Sequence, residues 1–237
     1  MDSLELMEKR EEETARLVSM LSEKSRSFTE PKMVLIGGYA LRVFVPFSRY
    51  SKDCDFALKE GLDIVKGWAV GAAVETFEKK DDHGFMRWVS VFDAGSKKAK
   101  SGIDFMEKQV RGREGEAFAI DDEFLSNSRK ASISIAGNEF EFFVPSYTDF
   151  FILKVMAARE SDARDIAALV WKNGMPDAKN RLASLNNPDV FTRNLKEKIL
   201  PDIENKFFLN SWRGVFDVME FTDREKGEVV DQLRGVI

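Results

Sequence analysis

Two adjacent glycines, Gly37 and Gly38, lie between two contrasting runs and constrain the fold more than any other feature. The apolar run Met33-Val34-Leu35-Ile36 predicts a buried strand over residues 32–37, and the helical spacing after the glycines predicts a helix over 38–45. A strand that turns into a helix through two residues without side chains brings several backbone N–H groups together. The pattern therefore predicts a site for an anion, most naturally a phosphate.

Two aspartates, Asp53 and Asp55, follow this turn and flank Cys54. Residues 53–58 predict a second strand, in which alternation places both carboxylates on one face, roughly 7 Å apart, and Cys54 on the other. Because residues 56–58 are apolar, the strand is expected to be buried, and two carboxylates so close together then need a compensating cation. The pair predicts divalent-metal and phosphoryl chemistry.

A third acid, Asp104, stands between Ile103 and Phe105 in a predicted short strand over residues 102–106. Three carboxylates that converge from neighbouring strands would hold two Mg²⁺ ions, one at a triphosphate and one at an acceptor hydroxyl. We therefore expect Asp53, Asp55 and Asp104 to lie close together near the glycine turn.

Composition narrows the class of protein. The 237 residues carry a net charge of −5 with both signs mixed along the chain, so a global basic face for nucleic acid is not supported. One Cys excludes an internal disulfide, and one His excludes a multi-His metal site. Neither a membrane span of ~20 apolar residues nor a signal peptide is recognisable. We expect a cytoplasmic protein that does not associate with membranes.

The pattern of elements changes at Pro145-Ser146. Before it, an opening helix (4–25), a helix over 62–76, a strand over 85–92 and a hairpin with its turn at Gly137-Asn138 predict an α/β domain over residues 1–145. After it, Ser146 and Asp149 resemble a capping box, and almost only helices are predicted over 146–237. Breaks are predicted near Asn173-Gly174, Asn187-Pro188, Leu200-Pro201 and Arg213-Gly214.

Taken in order, the glycine pair, Asp53-Cys54-Asp55 and Asp104 resemble the signature of the polymerase-beta-like nucleotidyltransferase superfamily. Within it, the stretch from Arg49 to Phe56 is similar to the Arg-x-Thr-x-Asp-x-Asp segment of AbiEii-like nucleotidyltransferases, the toxins of type IV toxin–antitoxin systems. A second segment, Lys154 to Ile166, is similar to that family's helical motif. The resemblance spans roughly residues 33–170.

This resemblance implies an α/β (α+β) fold, in which a mixed sheet with flanking helices is followed by a helical portion that closes the nucleotide cleft. It also implies the role of each site residue. Phosphate would be bound by Gly37 and Gly38, and metal by Asp53, Asp55 and Asp104, which are also the catalytic residues. The triphosphate would be approached by Lys154 and Arg159, with support from Lys52, Asp162 and Asp165.

The implied activity is metal-dependent transfer of a nucleoside monophosphate from a nucleoside triphosphate to a hydroxyl group. RNA, a protein side chain and a small molecule stay open as acceptors, and an antitoxin protein is an expected partner. The alternative is a catalytically silent nucleotide- or protein-binding module on the same fold, because Tyr39 replaces the small hydroxyl residue often found after the glycines. A third possibility is an unrelated α/β protein with structural acids.

Other reactive residues have ordinary explanations. His83 is expected to be a solvated turn residue, and Cys54 a buried core thiol. A lysine- and arginine-rich stretch surrounds Asp104, and a solvated loop is favoured slightly over a patch that receives RNA. The residues of that stretch are Lys97, Lys98, Lys100, Lys108, Arg111 and Arg113.

Overall fold

We describe a computed structural model of the chain that covers residues 3–47, 49–72, 74–79, 84–95, 97–112 and 117–236. His83 and Arg113 lie outside these described residues. The chain divides into two compact units. The first unit comprises Met1–Val43, Tyr50–Gln109 and Ile120–Pro145, and the second comprises Phe44–Arg49, Val110–Ala119 and Ser146–Ile237.

A mixed β-sheet with flanking helices forms the first unit, which confirms the predicted fold class. The strands of the chain are β1 (Met33–Ile36), β2 (Asp53–Leu58), β3 (Glu75–Lys79), β4 (Phe85–Ala94), β5 (Lys97–Glu107), β6 (Gln109–Arg111), β7 (Ala117–Ala119), β8 (Arg129–Ile135) and β9 (Asn138–Val144). Seven strands form one sheet in the order β3-β4-β5-β2-β1-β9-β8, and β6 pairs with β7 separately. The first unit's helices are α1 (Ser3–Lys24), α2 (Gly37–Leu41), α3 (Leu62–Ala72) and α4 (Asp122–Asn127).

The centre of the sheet has one face with acids and one apolar face. Strands β2 and β5 run parallel, and β2 presents Asp53 and Asp55 on the same face on which β5 presents Asp104. On the other face Phe56 and Phe105 are fully buried, with ring centroids 6.0 Å apart, and Phe28 stacks on Phe56 at 5.5 Å. Cys54 is buried on this same apolar face, as predicted. An aromatic core thus supports the strands that carry the acids.

Two predicted helices end earlier than expected. Helix α2 ends at Leu41 instead of residue 45, and Pro46 accounts for part of the difference because it disfavours a helical conformation at the residue before it. Helix α3 ends at Ala72 instead of Thr76. Thr76 lies in β3, a strand that sequence analysis missed and that pairs antiparallel with β4.

The lysine-rich stretch before Asp104 is a strand and not the expected loop. Strand β5 begins at Lys97, and Lys98 and Lys100 are exposed on either side of buried Ala99. This alternation is typical of a strand with one solvated face. At the β8–β9 hairpin the turn lies one residue earlier than predicted, at Ala136-Gly137, where both residues have positive φ.

Helices dominate the second unit. Its helices are α5 (Tyr147–Ala157), α6 (Asp162–Asn173), α7 (Lys179–Ala183), α8 (Pro188–Asn194), α9 (Leu200–Glu204), α10 (Phe208–Phe216) and α11 (Asp223–Arg234), with a π-helical turn at Leu195–Ile199. The predicted capping of α5 is confirmed, because the hydroxyl of Ser146 accepts a hydrogen bond from the Asp149 backbone at 3.1 Å.

One predicted helix break in this unit is displaced and another is wrong. The break near Arg213-Gly214 comes two residues later, since α10 ends at Phe216, and at Leu200-Pro201 the chain stays helical through the π-helical turn into α9. Pro201 has no backbone N–H to donate, and it closely follows the π-helical turn, where the regular hydrogen bonding of the α-helix is already interrupted. Among the described residues, no helix combines the length and the apolar composition needed to cross a membrane.

Candidate active site

The glycine turn is built against one of the predicted catalytic acids. Gly37 follows β1 directly and has φ +71°, a conformation that favours glycine. A Cβ at this position would lie 2.0 Å from the Oδ2 atom of Asp55, so the carboxylate occupies the space that any other side chain would need. Helix α2 has five residues, so the anion site predicted at Gly37 and Gly38 depends on single N–H groups and not on a long helix dipole. Phosphate binding there stays a prediction.

The three acids lie together on one face of the sheet, as predicted. Asp55 is directly opposite Asp104 in the parallel pair of β2 and β5, and Asp53 is opposite Gly102. A Cβ at Gly102 would lie 2.9 Å from the Oδ1 atom of Asp53, so this glycine makes room for the carboxylate. The placement is confirmed, whereas the metal-binding and catalytic roles stay predictions.

Sequence analysis missed Arg87, the cation that stands among these acids. Arg87 lies opposite Asp104 on the antiparallel strand β4. Its Nε donates to Asp104 Oδ1 at 2.5 Å and its Nη2 to Asp104 Oδ2 at 2.6 Å, and the same Nη2 is 3.4 Å from Asp53 Oδ2. A single basic residue in a mostly apolar strand was the available signal, but its partner depends on strand register, which the sequence does not reveal. Asp53, Asp55, Asp104 and Arg87 are called the acidic site below.

One row of paired residues crosses five strands through the acidic site. Phe77 on β3 is opposite Arg87, Arg87 is opposite Asp104, Asp104 is opposite Asp55, and Asp55 is opposite Ile36. Neighbouring strands are about 4.8 Å apart, so the two carboxylates of the row stand close to one another. The sheet itself therefore fixes the spacing of the charged groups.

Burial and neighbouring charges shift the protonation of the site. Burial raises the pKa of Asp53 above its ordinary value. The positive charge of Arg87 opposes this shift, and the negative charge of Asp104 adds to it. Hydrogen bonding to Asp104 raises the pKa of Arg87, which therefore stays charged. The carboxylate of Asp53 has less compensation than it needs and would gain from an added cation.

The donor set partly fits a divalent metal ion. Asp53 and Asp55 offer carboxylate oxygens on one face of β2, which are the ligands that Mg²⁺ prefers. Asp104 has both oxygens engaged by Arg87. Among the described residues, no three Asp, Glu, His or Cys side chains are arranged so that they could hold a metal ion together. The fit therefore holds for Asp53 and Asp55, and it includes Asp104 only if Arg87 releases it.

In the second unit the predicted motif residues form a buried ion cluster. The Nζ atom of Lys154 donates to Asp162 Oδ1 and to Asp165 Oδ2, both at 2.8 Å. Arg49 donates to both oxygens of Asp165 at 2.7 Å. Lys154, Asp162 and Asp165 are buried, and Arg49 is mostly so. Arg49, Lys154, Asp162 and Asp165 are called the buried ion cluster below.

The charges of this cluster stabilise one another. Burial alone would lower the pKa of Lys154, but Asp162 and Asp165 outweigh it and raise that pKa. Burial alone would raise the pKa of Asp165, but Lys154 and Arg49 hold it below its ordinary value. Contact of Lys154 with a triphosphate stays a prediction, and its ammonium group now has two carboxylate partners.

Arg159 does not extend the helix of Lys154, which corrects the expectation that both lie on one helix. Helix α5 ends at Ala157, and Ala158 has a left-handed conformation with φ 42°. The backbone N–H of Arg159 then donates to Asp162 Oδ2 at 2.9 Å. Asp162 therefore holds both the turn at Arg159 and the ammonium group of Lys154. Lys52, the remaining predicted residue, is exposed beside β2.

A comparison with known protein families shows to which family this chain belongs. The sequence profile described as nucleotidyl transferase AbiEii toxin, type IV toxin–antitoxin system, matches residues 19–169, more than half of the chain. The chain belongs to the AbiEii family. It is therefore a nucleotidyltransferase, and its family points to an antitoxin as partner. No curated protein sequence matches this AbiEii member significantly.

Solved structures show the same fold. JHP933 from Helicobacter pylori is 15% identical, with a TM-score of 0.50 over 92% of this chain and 90% of the other. A candidate nucleotidyltransferase from H. pylori is 14% identical, with a TM-score of 0.50 over 100% of this chain and 97% of the other. At such low identity the likeness of the AbiEii chain to these proteins establishes the fold alone.

Proposed function

We propose that this AbiEii-family protein transfers a nucleoside monophosphate from a nucleoside triphosphate to an acceptor hydroxyl in a reaction that depends on Mg²⁺. The observation that carries the proposal is the seating of Asp55 against Gly37, with Asp104 directly opposite on β5. This places the carboxylates of the acidic site next to a turn whose backbone N–H groups suit a phosphate.

In the proposed reaction the acceptor oxygen forms a bond to the α-phosphorus. The bond from that phosphorus to its bridging oxygen breaks, pyrophosphate leaves, and the acceptor proton passes to a base. Asp53 and Asp55 would hold the metal ion, which neutralises triphosphate charge when bound. Two ions, with Asp104 as a shared ligand, remain the expectation only if Asp104 is released from Arg87. Asp104 is our candidate for the base, since it lies beside Asp55.

A silent nucleotide- or protein-binding module is the second candidate function. Tyr39, which replaces the small hydroxyl residue of related sites, is fully buried and has no exposed phenol to offer to a phosphate. The Arg87–Asp104 pair also engages both oxygens of one of the three predicted metal ligands. Both features leave fewer groups that could bind phosphate or metal, and neither changes the fold.

The cellular setting follows from the chemistry and the family. We propose that the protein acts in the cytoplasm, where nucleoside triphosphates are abundant, and that an antitoxin restrains it. RNA, a protein side chain and a small molecule all present hydroxyl groups and are all proposed acceptors.

Transfer of labelled nucleotide tests the proposal. Wild type, Asp53→Asn, Asp55→Asn and the control Asp93→Asn are incubated with α-labelled nucleoside triphosphates, Mg²⁺, total RNA and protein extract. Asp93 is an exposed acid on β4 outside the acidic site, so its variant should match wild type. Incorporation and pyrophosphate release should fall at least about 100-fold in the other two variants, because loss of a metal ligand costs more than loss of an outer-shell partner.

Two results would contradict the catalytic proposal in different ways. Binding of Mg²⁺ and triphosphate by wild type without any pyrophosphate release would establish the silent module. Absence of triphosphate binding by wild type, together with a lowered melting temperature of Asp55→Asn, would mean that the acids are structural.

A further inference from the structure

Arg87 is the member of the acidic site for which the family resemblance supplies no role. It reaches Asp104 from the neighbouring antiparallel strand, with two donors on two oxygens at 2.5 and 2.6 Å. A guanidinium binds a carboxylate most strongly in this two-pronged geometry. The third contact, 3.4 Å to Asp53 Oδ2, places the positive charge between the two acids.

A guanidinium in this position engages the Asp104 oxygens that a metal ion would need as ligands. Mg²⁺ requires oxygen ligands at about 2.0–2.1 Å in near-octahedral order, and it is repelled by a fixed positive charge close by. The Asp104 carboxylate already directs both oxygens at the guanidinium, and its side chain is only 9% exposed. Arg87 is 38% exposed, so water reaches the guanidinium although it is anchored.

The neighbouring glycine supports the same conclusion. A Cβ at Gly102 would lie 2.9 Å from Asp53 Oδ1 and 3.9 Å from Arg87 Nε. The absence of a side chain at Gly102 thus leaves room for the Asp53 carboxylate, whose other oxygen lies 3.4 Å from Arg87 Nη2; the distance to Nε is an ordinary contact. Residue size at Gly102 therefore fixes the place of Asp53, and strand register fixes the place of Arg87.

We propose that Arg87 is a positioning residue that supplies the positive charge at Asp104, so that the nucleotide-free protein binds one divalent ion, at Asp53 and Asp55, and not two. The inference rests on the proposed function, because it assumes that these two aspartates bind metal. Arg87 also holds the Asp104 carboxylate in one orientation next to Asp55, where an acceptor hydroxyl would approach. A purely structural cross-strand pair would instead leave the number of bound ions unchanged when Arg87 is replaced.

The number of bound ions is measured with Mn²⁺ as the probe, by following the electron paramagnetic resonance signal of free Mn²⁺ during titration. Wild type should bind one ion. Arg87→Met and Arg87→Gln should each bind two, since Asp104 then has free oxygens and no fixed cation beside it. Arg87→Lys keeps the charge and should bind one. Using two neutral variants keeps the test decisive if one of them fails to fold.

Arg16→Met is the matched control. Arg16 makes the same two-pronged contact, with Glu13 at 2.9 and 2.6 Å, in the same unit but outside the acidic site. Its variant should bind one ion, like wild type. This control separates the loss of an arginine–carboxylate pair as such from its loss at Asp104.

Two results would overturn the inference alone: two ions bound by wild type, or one ion bound by wild type and both neutral variants. In either case Mn²⁺ binding that is lost in Asp53→Asn would leave the proposed function standing. If no variant binds Mn²⁺ and wild type does not bind it either, both the inference and the metal site of the proposed function are wrong.

Discussion

The two charged clusters of this protein differ in how their charges are balanced. The acidic site combines three carboxylates with one guanidinium on a partly exposed sheet face, and the pKa of Asp53 is raised. The buried ion cluster combines two cations with two carboxylates. The pKa of Lys154 is raised and that of Asp165 is lowered, and both shifts favour the charged form. A cluster with excess negative charge and access to solvent is suited to bind a cation, whereas a balanced and buried cluster is suited to hold helices together.

The largest effect is expected in the buried ion cluster. Lys154→Met should lower the free energy of unfolding by about 3–5 kcal/mol, because Asp162 and Asp165 lose a shared buried cation. The control is Lys130→Met, which removes an exposed pair with Glu141 of a kind worth about 0–1 kcal/mol. Urea unfolding measures both. Equal losses in the two variants would contradict the distinction between the clusters.

A glycine substitution tests how tightly the acidic site is built. Gly37→Ala should lose more stability than Gly137→Ala, although both glycines have φ above +70°. The left-handed conformation costs either alanine about 1–2 kcal/mol. Only at Gly37 does the new Cβ also collide with a neighbour, the Asp55 carboxylate, since nothing lies within 4 Å at Gly137. Thermal unfolding provides the measurement, and equal losses would show that Asp55 moves aside freely.

The smallest effect concerns pH. Because the folded pKa of Asp165 is lowered, its stabilising contribution is present above about pH 3.9, the unfolded pKa, and is lost as pH falls through the folded value. Asp165→Asn should therefore be less stable than wild type at pH 7, and the gap should narrow below about pH 4 by at most ~1.4 kcal/mol per pH unit. Unfolding free energies from pH 2 to 7 measure the gap.

The exposed variant Asp93→Asn serves as the reference for this series. Its difference from wild type should stay nearly constant across the same pH range. A gap for Asp165→Asn that stays constant or widens in acid would mean that Asp165 gains nothing from Lys154 and Arg49 in the folded state.

Local patterns explain which parts of the structure were predictable. Strand β2 was predicted over its observed bounds, because alternation and the glycine turn are both short-range signals. The meeting of Asp55 with Asp104 was expected because each acid stands in a predicted buried strand and needs a shared cation there. In contrast, the pairing of Arg87 with Asp104 depends on the register between β4 and β5, which involves residues 17 positions apart. No local propensity encodes such a register.

Two further features, one in each unit, were missed although their causes are local. A helix running through Lys154 and Arg159 fits the sequence pattern, since neither glycine nor proline interrupts it. The helix ends nevertheless, because Asp162 accepts the Arg159 backbone N–H and Ala158 takes a left-handed conformation. A side-chain hydrogen bond across three residues thus marks the end of α5, without a glycine or proline. The lysines at 98 and 100 were taken for a loop because their composition concealed the alternation with Ala99.

Metal-dependent stabilisation tests the central claim, that the acidic site binds a cation, most directly. The unfolding free energy of wild type should rise with Mg²⁺, by about 1.4 kcal/mol at ten times the dissociation constant. Asp53→Asn should show no such rise. Without metal, this variant should melt at a slightly higher temperature than wild type, because the raised pKa of Asp53 means that folding disfavours its charged form. Equal Mg²⁺ responses in the two proteins, or no response in wild type, would contradict the account.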